Sequence, residues 1–106
     1  MKKFKICDNI TIIEKLLKDD GEIIMEDVSS QIIIKINAKL SNEEKMETVL
    51  HEITHYLFFN FEECVGRNKN KKIEKLCDTL PLIIVGLWRF YPPFRIGIID
   101  SSLLKI

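Results

Sequence analysis

Residues 41–57, SNEEKMETVLHEITHYL, decide how the rest of the chain is read. The stretch opens as a helix. Ser41 followed three residues later by Glu44 is a capping box, in which the hydroxyl and the carboxylate each satisfy a backbone donor of the first turn. Glu43, Glu44 and Glu47 lie near the positive helix end, where acidic side chains are favourable. Met46, Val49, Leu50, Ile53 and Leu57 recur at helical spacing and form one apolar stripe. On the edge of that stripe is the pentapeptide His51-Glu52-Ile53-Thr54-His55, of the form H-E-x-x-H. Residues four apart on a helix share a face about 6 Å apart along the axis, so two imidazoles there can grip one metal ion. The Glu beside the first His can then take a proton from water at that ion. Zinc is the expected metal, because it accepts neutral imidazole nitrogen and keeps a position open for water at catalytic sites. The chain has two His and ten Glu. About two in a thousand shuffles of this composition would give the arrangement by chance. The plainer reading is a helix with two surface histidines and an unrelated carboxylate.

Upstream, residues 31–37 form the clearest strand, with Lys35 opposite Ile34 and Ile36. A strand before it would make an antiparallel pair. Residues 3–7 alternate and suit a short strand with one buried face. Residues 10–17 fit two patterns. Ile10, Ile13, Leu16 and Leu17 match a helical stripe, while Ile10-Thr11-Ile12-Ile13 is strand-like. The reading adopted is a short helix ending before Asp19-Asp20-Gly21, a turn signal, with residues 21–25 opening a strand or extended arm.

Downstream, the motif helix is expected to end near residues 58–61. A loop over residues 62–66 and a solvated polar run, residues 67–72, should follow; a sharper reading of that run is a cationic rim for an acidic protein substrate. A second long helix is expected from about Lys71, carrying Ile73, Leu76, Cys77, Leu80, Ile83, Ile84 and Leu87, with Pro81 ending or kinking it. The aromatic, proline-rich residues 88–94 read as a segment that covers the core, with a partner surface as the alternative, and a short arm from Ile96.

The 106 residues suit a single domain, 1–106, with a modest core to which a bound metal could add stability. Sixteen basic and sixteen acidic residues give zero net charge, so no direct contact with nucleic acid or an anionic membrane is expected. Cys7, Cys64 and Cys77 form no C-x-x-C pair, and no signal-peptide pattern is present, which points to a reduced, cytoplasmic protein. The longest apolar run, residues 80–88, is too short to span a bilayer.

A catalytic zinc wants three protein ligands and a water. With no third His, the candidates are Glu62, Glu63, Glu74 and Asp78, with Cys77 as an outsider. Glu62 and Glu63 follow His55 too closely to fold back. Glu74 stands beside the apolar stripe of the second helix and is the choice; Asp78, one turn on, is second. The remaining carboxylate could orient a His ring. A surface ion pair with Lys71 is the plain alternative for Glu74.

Residues 34–55, IKINAKLSNEEKMETVLHEITH, resemble the ImmA/IrrE metallopeptidases, above all the short phage and mobile-element members. The lead-in Glu47-Thr48-Val49-Leu50 is more specific than the pentapeptide, and residues 73–77, IEKLC, are similar to the helix that bears the family's carboxylate. The resemblance covers roughly residues 30–85. It implies a gluzincin-like site, with His51, His55 and a helix-borne carboxylate on Zn2+ and Glu52 as base. It also implies a protein or peptide substrate, with transcriptional repressors as the class that larger members cleave. The expected fold is α+β, a small antiparallel sheet packed on the motif helix and a second long helix, a minimal zincin-like domain. The expected function is a zinc-dependent metalloendopeptidase. Two rivals stand beside it. One is a non-catalytic, zinc-bound regulatory module of phage or plasmid origin. The other is a deformylase-like amidase, which would need a Cys ligand in a glycine-rich setting that Cys7 lacks. Tyr56 and Arg67 are the candidates for oxyanion donors.

Overall fold

Isoleucine-rich segments build the sheet. The computed structural model describes the backbone of residues 1–25, 31–63 and 69–101, and the side chains of the same residues except 58–77. Its elements are β1 (Lys2–Cys7), β2 (Ile10–Lys15), β3 (Gly21–Met25), β4 (Ile32–Asn37), α1 (Asn42–Glu63), α2 (Lys69–Phe90) and α3 (Pro92–Asp100). The α+β class is as expected, but the sheet is mixed and not antiparallel. Its order is β1-β2-β4-β3. The two outer pairings are antiparallel, whereas β2 and β4 run parallel with Ile10 opposite Ile32 and Lys15 opposite Asn37.

The short helix expected over residues 10–17 is a strand. Ile10, Ile12 and Glu14 face the core while Thr11 and Ile13 are only half-buried. The β-branched run pairs on both sides, and that tertiary pairing outweighs the helical spacing of Leu16 and Leu17. In β4 the side chains of Ile32, Ile34 and Ile36 point the same way as those of β2, so the two strands lay one continuous apolar surface. The arm at residues 21–25 is a full strand, antiparallel to β4 as anticipated.

That surface is covered by helices. Met46, Val49 and Ile53 of α1, Ile83 and Leu87 of α2, and Tyr91 and Phe94 at the start of α3 join the strand isoleucines in one core cluster. The capping box forms: the Ser41 N–H donates to Glu44 Oε1 and the Glu44 N–H donates to Ser41 Oγ, each at 3.2 Å. The first helix runs on to Glu63, beyond the expected end. The second begins at Lys69, so Lys69–Lys72 are helical and not loop, while residues 64–68 lie outside the described residues. Pro81 does not end α2, which continues to Phe90. The break comes at Tyr91, followed by Pro92 and Pro93 at the first turn of α3, where proline costs no hydrogen bond. The two helices there are bent by 91°. Of the aromatic segment, Tyr91 and Phe94 are core, as expected, but Trp88 and Phe90 are exposed. The arm expected from Ile96 is helical as part of α3.

Packing of α2 depends on Gly86. A Cβ there would collide with the carbonyl oxygen of Ile6 in β1, so the helix rides directly on the strand backbone.

The core also contains a polar knot that the sequence reading did not anticipate. Glu14 is buried at the end of the β2 ladder. Lys45 Nζ donates to its Oε1 at 3.0 Å, and the Tyr91 hydroxyl donates to its Oε2 at 2.8 Å. One carboxylate thereby ties β2 to α1 and to the α2–α3 corner. Burial, then the hydrogen bond and the charge of Glu14, push the Tyr91 phenol well above its ordinary range. Phe4 packs edge-on against the same ring, with centroids 5.0 Å apart.

Candidate functional site

The histidines and Glu52 are presented by the middle of α1. Val49 and Ile53 fix that helix against the sheet, which leaves His51 and His55 exposed on the flank. Glu52 lies between the buried stripe and the histidine pair. It is 7% exposed and faces an open cavity of about 330 Å³.

The two rings converge. Their Nε2 atoms are 3.0 Å apart, with ring centroids at 4.6 Å and planes crossing at 83°. Two readings suit this contact. One is a His–His hydrogen bond, in which one ring donates and the other accepts. The other is a pair of ligands, since tetrahedral zinc with Zn–N near 2.0–2.1 Å sets two nitrogens about 3.3 Å apart. The donor set thus fits two corners of a zinc site. The third corner is not found among the described residues, where no group of three His, Cys, Asp or Glu side chains could hold a metal. Asp78, the second choice, is exposed. Glu74, the first choice, is on α2, but its side chain lies outside the described residues, as do those of Glu62, Glu63 and Cys77.

The cavity is lined by Asp20, Gly21, Glu47, Thr48, His51 and Glu52. Glu47 and Thr48 come from the α1 turn before His51, so helical spacing alone could have placed them there. Asp20 and Gly21 arrive from the sheet edge, for which the local sequence offers no signal. Asn37 holds that edge: its backbone N–H donates to the Asp20 carbonyl at 2.8 Å, and its side-chain Nδ2 donates to the Leu17 carbonyl at 3.1 Å. Gly21 then comes so close to α1 that a Cβ would stand 2.6 Å from Thr48 Cγ2. A side chain at this position would press on the residue next to Glu47 and narrow the cavity.

Of the two oxyanion candidates, Tyr56 packs partly buried against the core, and Arg67 lies outside the described residues. Cys7 is a free thiol. No single helix among the described residues is long and apolar enough to cross a membrane. Comparison with models of protein families, with curated proteins and with solved structures returned no match.

Proposed function

We propose that this chain is a zinc-dependent metalloendopeptidase acting on a protein or peptide. His51 and His55 would hold the metal, Glu74 would be the third ligand, and Glu52 the general base. The observation that carries the reading is the meeting of two Nε2 atoms at 3.0 Å beside a nearly buried carboxylate that opens on the same cavity. Zinc in such a site supplies Lewis acidity, lowering the pKa of water and polarising the scissile carbonyl. Glu52 takes the proton of the attacking water and returns it to the leaving amine. Its low exposure limits competing solvation, and its place one residue from His51 keeps it within reach of the reacting centre. The resemblance to ImmA/IrrE proteins favours a transcriptional repressor of a phage or mobile element as substrate, met in the cytoplasm.

The test uses the full chain, loaded with one equivalent of zinc, on a peptide library whose products are read by mass spectrometry. Glu52→Gln is expected to keep the metal and lose at least about a hundredfold in cleavage rate. His51→Ala, His55→Ala and Glu74→Ala are expected to lose the metal. Unchanged cleavage by Glu52→Gln rejects the mechanism.

A second reading, a zinc-bound regulatory module without catalysis, starts from the same converging histidine pair. It requires a site closed by four protein donors, so X-ray absorption that detects coordinated water would exclude it.

A further inference from the structure

Among the described residues, none covers the outer face of α2. Between Asp78 and Phe90 only Ile83, Gly86 and Leu87 are buried, a stripe about 100° wide at 100° per residue. Leu80, Leu82, Ile84, Val85, Trp88 and Phe90 are all exposed, Leu82 by 66% and Trp88 by 43%. A helix that is apolar all round is ordinarily buried. Leu80, Leu82, Ile84, Val85 and Trp88 together present roughly 450 Å² of apolar surface, within the range of the largest patch on a typical monomer, while Phe90 is exposed only because the helix ends there. Pro81, Asp78 and Arg89, also exposed, extend this face toward the ~800 Å² per partner of a standard interface.

Charge says what fits there. Asp78 and Arg89 are the only charged residues from 78 to 90, and both are exposed. Neither pairs with another described residue. They stand eleven residues apart, close to three helical turns, and so on one flank of the apolar face. In an antiparallel pair of α2 helices centred between Ile83 and Ile84, Asp78 of each copy meets Arg89 of the other. A parallel two-fold pair would put the charges of the two copies on opposite flanks, where neither meets an opposite charge. We infer that this face is where a second copy of the chain docks, with α2 crossing its symmetry mate antiparallel about a two-fold axis. The inference uses only residues 78–90 of α2, none of which lines the cavity beside His51.

The test is sedimentation velocity on the full chain over a range of concentrations reaching several hundred micromolar. The expected species has twice the 12.4 kDa chain mass. Val85→Glu and Leu82→Glu, both at exposed positions, should give monomers with unchanged circular dichroism; either one folded serves if the other is not. Arg89→Asp and Asp78→Arg should each weaken the dimer at least about tenfold by opposing like charges across the two-fold. The double variant D78R/R89D should restore it. A wild-type monomer overturns the inference, whether it stays free or binds anionic vesicles. So does a dimer indifferent to these substitutions, and so does a double variant as weak as the singles.

Discussion

Helices α1 and α2 each run for 22 residues along the same sheet, and they solve the burial problem differently. In the described part of α1, Met46, Val49 and Ile53 are buried, Leu50 and Leu57 partly so, and most of the polar residues of its core-facing turns have a stated role. Glu44 closes the cap, Lys45 meets Glu14, Glu52 faces the cavity, and the histidines face each other. In α2 the described C-terminal half buries one narrow stripe and leaves larger apolar side chains outside than in. The proposed chemistry sits on the helix whose polar groups the fold specifies. A helix with a surplus of apolar groups is completed by contact.

This contrast can be attacked on the α1 side first. Lys45→Ala would strand a buried carboxylate and is expected to cost about 3–5 kcal/mol of stability in urea unfolding. A loss below about 1 kcal/mol would mean that Glu14 is solvated and the knot is not structural. Next comes a matched pair of truncations. Ile53→Ala should cost about 2–5 kcal/mol, as for other buried aliphatic residues. Leu82→Ala, measured at concentrations where the chain is monomeric, should fall within about 0.5 kcal/mol of the wild type. Equal costs would erase the distinction between the two helices. Tyr91→Phe, which removes a hydrogen bond to a charged acceptor, is expected to cost about 1.5–3 kcal/mol, less than the loss of Lys45.

That last variant also has a pH signature. The unfolded phenol titrates at its ordinary value of 10.0, whereas in the folded chain it is held protonated to higher pH. Above pH 10 the unfolded state therefore binds fewer protons, and stability falls as pH rises. The wild type should lose up to about 1.4 kcal/mol per pH unit from this group, and the Phe variant should not. The gap between their denaturation midpoints should narrow steadily as pH rises above 10; parallel curves would mean that Tyr91 titrates normally.

Strands and caps were legible where the signal is local. Residues 31–37 carry a β-branched run with Lys35 set opposite Ile34 and Ile36, and Ser41 with Glu44 closes the box that its spacing describes. Residues 10–15 misled because six residues are too few to separate the two periods, and strand pairing decided. Parallel pairing of β2 with β4 is a relation between distant segments and leaves no mark on either. The helix through Pro81 shows the same limit, since burial of Ile83 and Leu87 outweighs one missing donor. At the site, His51, Glu52 and His55 could be read from spacing. Asp20 and Gly21 could not, because Asn37 and the edge strand bring them in from another part of the chain.

Glu14 has one more effect, on alignment. Side chains in a strand alternate, so sliding β2 by a single residue against β4 would send this carboxylate to the open side and turn Thr11 and Ile13 inward. Nothing in a ladder of isoleucines forbids that error strongly, because Ile13 would fill the space that Ile12 vacates. The charge forbids it: only one alignment lets Lys45 and Tyr91 reach the same two oxygens. A single acidic residue thus acts as a key for the whole sheet, rejecting shifted copies of the fold that grease alone would tolerate.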